Sequence, residues 1–377
     1  MSGWPGKYVI GLTGNIATGK SVVRKMLEHL GAYGIDADAL SHRAIAQDAP
    51  GYQSVVNTFG RWILAPDGQI DRARLGKIVF SDPDALSRLE AIIHPMVRQA
   101  VDILARRATQ KVIVIEAIKL LESPLRSYCD GIWVTYAPPN VQLSRLVQKR
   151  SLSEAAARQR IAAQASQEEK LTAATVVIRN DVSYDDTWKQ VLAAWQETFP
   201  EVEGMPAIET APRTGMVSVQ RARPRQAAEI AALVNRLSGG IQVLNASDIM
   251  AAFGEKAFML LNMNGKLVGV AGWKVENLVA RTSDIFLDTN VPFAEAGKVL
   301  MEEVERASHE LQCEISLLFL PEALQKHQPI LEHLGYQARS ISALGVRAWQ
   351  EAAAESMVPG TILLFKQLRQ DRVLRPV

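Results

Sequence analysis

The chain has 377 residues, 48% of them hydrophobic and 22% charged, which is enough apolar material for two or three domains with sizeable cores. Its 42 basic and 40 acidic residues leave a formal net charge of +2, so bulk charge gives no drive toward nucleic acid or an anionic membrane surface. The two cysteines, Cys129 and Cys313, lie far apart in sequence and offer neither a disulfide framework nor a metal-knuckle spacing. We therefore expect no nucleic-acid partner and a reducing compartment.

Membrane and export signals are weak in this sequence. No apolar run reaches the roughly 18 residues that a membrane helix needs. Residues 1–7 lack the basic region and the apolar stretch of a signal peptide. We expect a cytoplasmic protein with no membrane partner, and the sequence leaves open whether it forms a homo-oligomer.

From Tyr8 to about Phe199, short apolar runs alternate with longer helical patterns, an order typical of an α/β parallel sheet with crossover helices. The predicted strands are Tyr8–Leu12, Ala32–Ile35, Val112–Ile115, Ile132–Tyr136 and Val176–Ile178. Their near-continuous Val and Ile content predicts strands buried on both faces. The segment from about Leu40 to Arg107 is too long for a simple crossover and predicts an inserted helical subdomain.

Residues 200–215 are rich in proline and glycine and read as a linker, which divides the chain into domains at 1–199 and 216–377. Beyond the linker the pattern changes to α+β, with a hairpin across Asn264-Gly265 as its clearest signal. The other elements predicted there are strands at Val217–Val219, Phe258–Asn262, Lys266–Trp273, Thr282–Leu287 and Glu314–Leu320, and helices at about Arg225–Leu237 and Ala294–Glu310.

A phosphate-binding loop follows the first predicted strand and precedes a helical pattern. It reads Gly14-Asn15-Ile16-Ala17-Thr18-Gly19-Lys20-Ser21, which satisfies G-x-x-x-x-G-K-[ST]. In this motif backbone N–H groups and the helix N-terminus hold a nucleotide's phosphates, the lysine reaches the β/γ-phosphates, and the serine hydroxyl binds Mg²⁺. A Gly-rich turn that contains Lys-Ser by chance is the alternative, but the strand–loop–helix order favours binding of ATP with Mg²⁺.

Three carboxylates follow predicted strands, at the sheet edge where open α/β folds bind ligands. Asp36 and Asp38 end the second strand, and an extended chain would point both side chains the same way. One could accept the proton of a substrate hydroxyl and the other could bind the metal's water shell, although capping of the helix 39–47 is an equal alternative for Asp38 alone. Glu116 ends the third strand, and a carboxylate in this position commonly holds a Mg²⁺-bound water.

A basic helical stretch includes Ser151-Leu152-Ser153, which predicts a helix break and a cap. Its cations are Arg145, Lys149, Arg150, Arg158 and Arg160. We expect a lid at about residues 150–165 that closes over the phosphates and excludes water. The alternative for any single arginine is that it lies on a solvent-exposed helix face and does not contact the phosphates.

Several motifs in order from about Tyr8 to Ala194 resemble the dephospho-coenzyme A kinase family. They include Gly11-Leu-Thr-Gly14, Gly19-Lys-Ser21, Ile35-Asp-Ala-Asp38, Ile93-His94-Pro95, Leu120-Leu121-Glu122, Arg150…Ser153, Arg160-Ile161…Gln164 and Ile178…Asn180. The resemblance implies a P-loop kinase that uses ATP to phosphorylate the ribose 3′-hydroxyl of dephospho-coenzyme A, the last step of coenzyme A synthesis. It implies that Asp36 is the general base, that Arg150 contacts the phosphates and Asn180 the adenine, and that Thr13 and Leu120 line the acceptor site.

The sequence departs from this family at two places. Where the family has Asp followed by Pro-Leu-Leu, this chain has Glu116-Ala-Ile-Lys119-Leu120, which lengthens the carboxylate by one methylene and adds a cation. Asn15 and Ala17 replace frequent glycines in the phosphate loop. Because the paired aspartates and the long helical insertion suit an acceptor pocket, which a switch protein does not need, we favour a kinase over a P-loop regulatory NTPase.

Residues 216–377 weakly resemble the GCN5-related N-acetyltransferase (GNAT) fold. The matching pieces are Val219-Gln-Arg-Ala-Arg-Pro224, Gly265-Lys-Leu-Val-Gly-Val-Ala-Gly272 and Leu331-Glu-His-Leu-Gly-Tyr336. Where that fold cradles the diphosphate of acetyl-coenzyme A, this chain has Pro292, which lacks an N–H, and the carboxylate of Glu295. Three interpretations stay open: a degenerate non-catalytic module, a domain that binds a coenzyme A-like ligand, and an active acetyltransferase.

Overall fold

The computed structural model describes residues 3–79, 81–150, 152–200, 217–371 and 373–374, with the side chains of Lys149 and Arg150 excepted. Almost all of the predicted linker lies outside these residues, so the domain limits 1–199 and 216–377 stay a prediction. The chain divides into two compact units. The first comprises Met1–Lys20, Ala32–Asp181 and Asp371–Val377, and the second comprises Ser21–Gly31 and Val182–Gln370. Within the described part, no helix combines the length and apolar character required to cross a bilayer.

The N-terminal half alternates strands and helices in the predicted order. Its elements are β1 (Tyr8–Thr13), α1 (Lys20–His29), β2 (Tyr33–Asp36), α2 (Ala37–Ala44), α3 (Tyr52–Phe59), α4 (Arg72–Val79), α5 (Pro83–Arg107), β3 (Val112–Glu116), β4 (Gly131–Tyr136), α6 (Pro139–Arg150), α7 (Glu154–Ala162), α8 (Gln167–Thr172), β5 (Val176–Arg179) and α9 (Tyr184–Thr198). The five strands are parallel in the order β2-β3-β1-β4-β5. The α/β class is confirmed.

Burial differs between the inner and the edge strands of this sheet. The inner strands β1, β3 and β4 are almost wholly buried, as their apolar runs predict. Strand β5 is not, since Val177 is 43% exposed. The expectation of burial on both faces is therefore wrong for β5, which has a partner on one side only.

The inserted segment between β2 and β3 is helical, as predicted, and consists of α2 to α5. Helix α5 begins after Asp82, whose side chain accepts a hydrogen bond from the Asp84 N–H, and it continues through Pro95. Its buried side recurs every three or four residues and comprises Ala85, Leu89, Ile93, Val97, Ala100, Val101, Leu104 and Ala105. This apolar stripe holds the long helix against its neighbours.

The C-terminal half is α+β with one mixed sheet. Its elements are β6 (Val217–Arg221), α10 (Ala227–Leu237), α11 (Ala246–Ala252), β7 (Ala257–Met263), β8 (Lys266–Glu276), β9 (Val279–Leu287), α12 (Lys298–Glu310), β10 (Ile315–Pro321), α13 (Gln328–His333), β11 (Gln337–Ala338), α14 (Arg347–Ser356) and β12 (Thr361–Gln367). The strand order is β11-β12-β10-β9-β8-β7-β6, antiparallel except for the parallel pair β9–β10. The predicted hairpin is confirmed: Asn264 (φ 53°) and Gly265 (φ 75°) both have the left-handed backbone of a tight hairpin turn.

A buried charge cluster holds α1 within the second unit. The Glu28 carboxylate pairs with Arg24 at 2.6 Å and with Lys25 at 2.8 Å, and all three residues are less than 10% exposed. Lys25 Nζ also donates to the Val275 carbonyl at 2.9 Å. Burial raises the pKa of Glu28, but Lys25 and Arg24 outweigh it and lower this pKa to about 2. Burial lowers the pKa of Lys25, and the Glu28 carboxylate opposes this shift.

We expect Glu28→Gln to lower the free energy of unfolding by about 3–5 kcal/mol, because two buried cations lose their anion. The matched control is Glu351→Gln in the exposed pair Arg347–Glu351, for which we expect at most about 1 kcal/mol. Because the folded pKa of Glu28 is depressed, its contribution is complete above its ordinary pKa and is lost as the pH falls toward about 2. Urea unfolding at pH 7 and pH 3 measures both effects. Equal losses in the two variants at pH 7 would contradict a buried network.

Candidate active site

The phosphate loop connects β1 to α1, and two of its glycines leave no room for a side chain. A Cβ atom at Gly14 would lie 2.3 Å from Thr135 Oγ1, and one at Gly19 would lie 1.8 Å from Asn180 Nδ2. Gly19 also has a φ of 93°, a conformation that favours glycine. Ala17, which replaces a frequent glycine of the family, adopts a φ of 59°. These positions fix the backbone path that the motif requires.

Side chains from β4, α6 and the end of β5 brace the loop at its carbonyl groups. Thr18 Oγ1 lies 2.7 Å from Thr135 Oγ1, and Asn180 Nδ2 donates to the Thr18 carbonyl at 2.9 Å. Arg145 donates to the Ala17 carbonyl at 3.1 Å and to the Asn180 carbonyl at 2.8 Å. Because loop carbonyls accept hydrogen bonds from surrounding side chains, these side chains hold the loop in its conformation.

The inner side of the loop is polar and contacts the end of the predicted lid. Lys20 Nζ donates to the carbonyls of Gly14 (3.1 Å) and Asn15 (3.3 Å). The Ile16 N–H donates to Gln164 Oε1 at 2.6 Å, and Asn15 Nδ2 donates to the Ala165 carbonyl at 3.0 Å. The segment after α7 therefore meets the phosphate loop, as a lid over this site would. The side chain of Arg150 lies outside the described residues, so its predicted role stays a prediction.

The two aspartates at and just after the end of β2, Asp36 and Asp38, do not lie in one extended segment. The strand ends at Asp36, whose Oδ1 accepts the Ala39 N–H at 2.8 Å and caps α2. Asp38 lies in the first turn of that helix. The extended segment from which we predicted one shared orientation of the two side chains is therefore absent, because the chain turns into the helix at Ala37. The cap is also Asp36 rather than Asp38.

Register places three elements of the site side by side at the carboxyl edge of the sheet. Glu116 on β3 pairs with Asp36 on β2 and with Leu12 on β1, one residue before Thr13. Burial raises the pKa of Asp38, and Glu116 nearby contributes to the increase. The hydrogen bond from Ile118 and the charges of Lys20 and Lys170 oppose it. The pKa of Asp38 therefore responds both to the neighbouring carboxylate of Glu116 and to the charge of Lys20.

The loop after β3 is anchored at Ile118 from two directions. Its N–H donates to Asp38 Oδ2 at 3.0 Å, and its carbonyl accepts from Thr13 Oγ1 (3.1 Å) and Lys170 Nζ (3.0 Å). Lys170 is 3% exposed and lies on α8. The sequence analysis missed this lysine, since a lone Lys in a polar helix gives no signal of burial.

A cavity of about 190 Å³ opens beside these groups. Its walls come from α2, α5 and the loop after β3, and they comprise Ala37, Asp38, Ser41, Leu89, Glu90, Ile93, His94, Val97, Arg98, Ala117, Lys119, Ser123, Pro124 and Leu125. Apolar and charged side chains both line it. This mixed lining offers both apolar contacts and charged partners to a bound molecule.

Three of the predicted site residues are buried and contact other parts of the protein. Thr13 and Leu120 are fully buried, and neither is among the described residues that line the cavity. A Leu120 methyl would lie 2.7 Å from a Cβ placed at Gly11, so this side chain packs against β1. Asn180 is 7% exposed and bonds the loop carbonyl of Thr18. Their proposed contacts with acceptor and adenine stay predictions.

The donor set fits Mg²⁺ that is shared with a nucleotide. Among the described residues, no group of three or more His, Cys, Asp or Glu side chains could hold a metal ion. Mg²⁺ does not need such a cage, because it commonly takes one or two protein oxygens together with substrate phosphates and water. Asp38, whose pKa responds to both Lys20 and Glu116, offers oxygens of the required type, and the Ser21 hydroxyl directly follows Lys20 in sequence.

A parallel sheet with this loop between its first strand and first helix defines the class of P-loop nucleotide-binding proteins. Residues 8–186 match the family model described as dephospho-CoA kinase. A curated dephospho-CoA kinase of Geobacter metallireducens is 44% identical over 192 residues, which is 50% of this chain and 96% of that protein. The chain belongs to the dephospho-CoA kinase family and is a kinase. This confirms the resemblance of the first half.

Solved structures match each half separately. The crystal structure of TT1252 from Thermus thermophilus has a TM-score of 0.46 and 30% identity, and covers 52% of this chain and 99% of its own. The crystal structure of a GNAT-family acetyltransferase from Streptococcus pneumoniae has a TM-score of 0.32 and 16% identity, and covers 40% of this chain and 98% of its own.

We expect Gly19→Ala to weaken ATP binding at least tenfold, because the new Cβ would overlap Asn180 Nδ2 and displace the loop. Gly6→Ala is the matched control: Gly6 also has a positive φ of 75°, but a Cβ there would meet nothing within 4 Å. It should cost only about 1–2 kcal/mol of stability from backbone strain and leave ATP binding unchanged. Calorimetric titration with ATP measures the ATP affinity of both variants. Equal ATP affinity in both variants would contradict the steric account.

Proposed function

We propose that this chain transfers the γ-phosphoryl group of ATP to the ribose 3′-hydroxyl of dephospho-coenzyme A, giving coenzyme A and ADP. The observation that carries the proposal is the register Leu12–Glu116–Asp36, which sets a carboxylate and the phosphate loop at one edge of the sheet beside a cavity. Family membership supports the acceptor, because the relatives are dephospho-CoA kinases.

In this proposal the phosphate loop binds the donor. The N–H groups of residues 14–19 and the N-terminus of α1 attract the phosphate oxygens, and Lys20 adds a full positive charge. Thr135, Asn180 and Arg145 already brace the backbone path of the loop. The Ile16 N–H would exchange Gln164 Oε1 for a phosphate oxygen when the nucleotide binds. Arg150, at the end of α6, would approach the phosphates from the lid.

Asp36 is the proposed general base. As the ribose oxygen bonds to the γ-phosphorus, the bond from that phosphorus to the ADP oxygen breaks and the hydroxyl proton passes to the Asp36 carboxylate. The bond between Asp36 Oδ1 and the Ala39 N–H fixes the carboxylate's orientation. The β2–α2 junction therefore holds the base in place before the acceptor arrives.

Ser21, Asp38 and Glu116 would hold Mg²⁺, directly or through water. When bound there, the ion would supply positive charge that offsets the negative charge of the phosphates. Asp38 also accepts the Ile118 N–H, so it fixes the loop that forms one wall of the cavity. This second role does not depend on the ion.

We expect Asp36→Asn to lower kcat about 100- to 10,000-fold while ATP still binds, because an amide cannot take the hydroxyl proton. Asparagine caps a helix as well as aspartate does, so α2 should keep its start and its stability. The assay follows ADP release with ATP, Mg²⁺ and dephospho-coenzyme A, with thermal unfolding as the control. Full turnover in the variant would show that Asp36 is not the base.

For the second unit we propose a role without acyl transfer. The segment Phe293–Gly297 forms a π-helical turn before α12, and Phe293 is 4% exposed. Its ring stacks on His327 with centroids 4.5 Å apart. Pro292, which offers no N–H, and the exposed carboxylate of Glu295 at this turn both disfavour a diphosphate.

Accordingly, the full chain should release no coenzyme A thiol from acetyl-coenzyme A above the rate without protein when amine acceptors are supplied. A thiol-trapping assay with lysine and spermidine as acceptors measures this. Acceptor-dependent thiol release would overturn the proposal and favour an active acetyltransferase.

A further inference from the structure

Lys119 is a cation on the wall of the cavity at a position where the family resemblance leads one to expect an apolar turn. It lies in the loop after β3, and its side chain is 54% exposed. Its Nζ lies 3.2 Å from Glu90 Oε1 on α5, which lines the same cavity. The proposed chemistry at Asp36 does not use this lysine.

The backbone at Lys119 is fixed although its side chain is exposed. Asp38 accepts the N–H of the preceding residue, Ile118, while Thr13 and Lys170 donate to its carbonyl. The loop is therefore tied to α2, β1 and α8 at one residue. Lys119 thus presents its ammonium group from a rigid base, on the cavity that Asp38 also lines.

Helix α5 gives the cavity two different stripes at helical spacing. Leu89, Ile93 and Val97 form an apolar stripe, and Glu90, His94 and Arg98 form a polar one. Lys119 contacts the polar stripe at Glu90. An exposed ion pair of this kind contributes about 0–1 kcal/mol, so an incoming phosphate can readily replace Glu90 as the partner of Lys119.

We infer that Lys119 is a specificity-determining residue that binds the diphosphate group of the acceptor, exchanging the Glu90 carboxylate for phosphate oxygens. The inference rests on the proposed function, since dephospho-coenzyme A carries its diphosphate on the same ribose whose 3′-hydroxyl reacts. Arg98 lines the same cavity from α5 and adds positive charge there.

The test compares Lys119→Met, Glu90→Gln and Lys189→Met by steady-state kinetics with ATP. Lys119→Met should raise KM for dephospho-coenzyme A about 5- to 30-fold with little change in kcat, as expected for loss of one charge-assisted contact. Glu90→Gln keeps the cation and should not raise this KM. Lys189 pairs with Asp185 on the exposed side of α9, so Lys189→Met removes one lysine charge elsewhere and should change nothing.

A second readout uses adenosine, which offers the ribose hydroxyl without a diphosphate. The ratio of kcat/KM for dephospho-coenzyme A to kcat/KM for adenosine should fall in Lys119→Met. Raised salt should increase KM for dephospho-coenzyme A more in the unmodified chain than in this variant.

Three possible results distinguish a failure of the proposed function from a failure of the inference about Lys119. If the unmodified chain phosphorylates no dephospho-coenzyme A, the proposed function itself fails. If it does, and Lys119→Met keeps the same KM and the same acceptor ratio, the inference alone fails. If Lys119→Met and Glu90→Gln raise KM equally for both acceptors, the ion pair braces α5 and Lys119 binds no diphosphate.

Discussion

The backbone conformation of residues 14–19 is the constraint on which the rest of the site depends. The loop passes so close to Thr135 and Asn180 that any side chain at Gly14 or Gly19 would overlap them. Hydrogen bonds from Asn180 and Arg145 to the loop carbonyls hold this path. A loop held in this way keeps its backbone path while its N–H groups exchange protein partners, such as Gln164, for phosphate oxygens, and preorganisation of this kind favours phosphoryl transfer.

The parallel sheet also places carboxylates at the edge of the sheet where the phosphate loop begins. Because β1, β2 and β3 run in one direction, Asp36 and Glu116 reach the edge where β1 enters the phosphate loop. Ile118 links this edge to the rest of the site, since one residue accepts from Thr13 and Lys170 and donates to Asp38. The helical insertion then supplies the opposite wall of the cavity. The phosphate loop, the proposed base and the proposed acceptor cavity thus follow from one sheet topology and one insertion.

The sequence was sufficient for the strands, the phosphate loop and the family, because these depend on local patterns: periodicity, glycine spacing and turn residues. It was insufficient where a side chain's partner comes from a distant segment. The roles of Asp36 and Asp38 depended on where α2 begins, and the burial of Lys170 depended on a carbonyl 52 residues away. The parallel pairing of β9 with β10 likewise joins strands separated by a helix, which an alternation pattern cannot reveal.

The position of the new phosphate on the acceptor tests the central claim most directly. The full chain is incubated with ATP, Mg²⁺ and dephospho-coenzyme A, and the product is analysed by mass and by phosphorus–proton coupling in NMR spectra. Our account predicts one added phosphate, coupled to the ribose H3′, with one ADP formed for each product molecule. ADP formation without a change in the acceptor, or a phosphate on another oxygen, would contradict it.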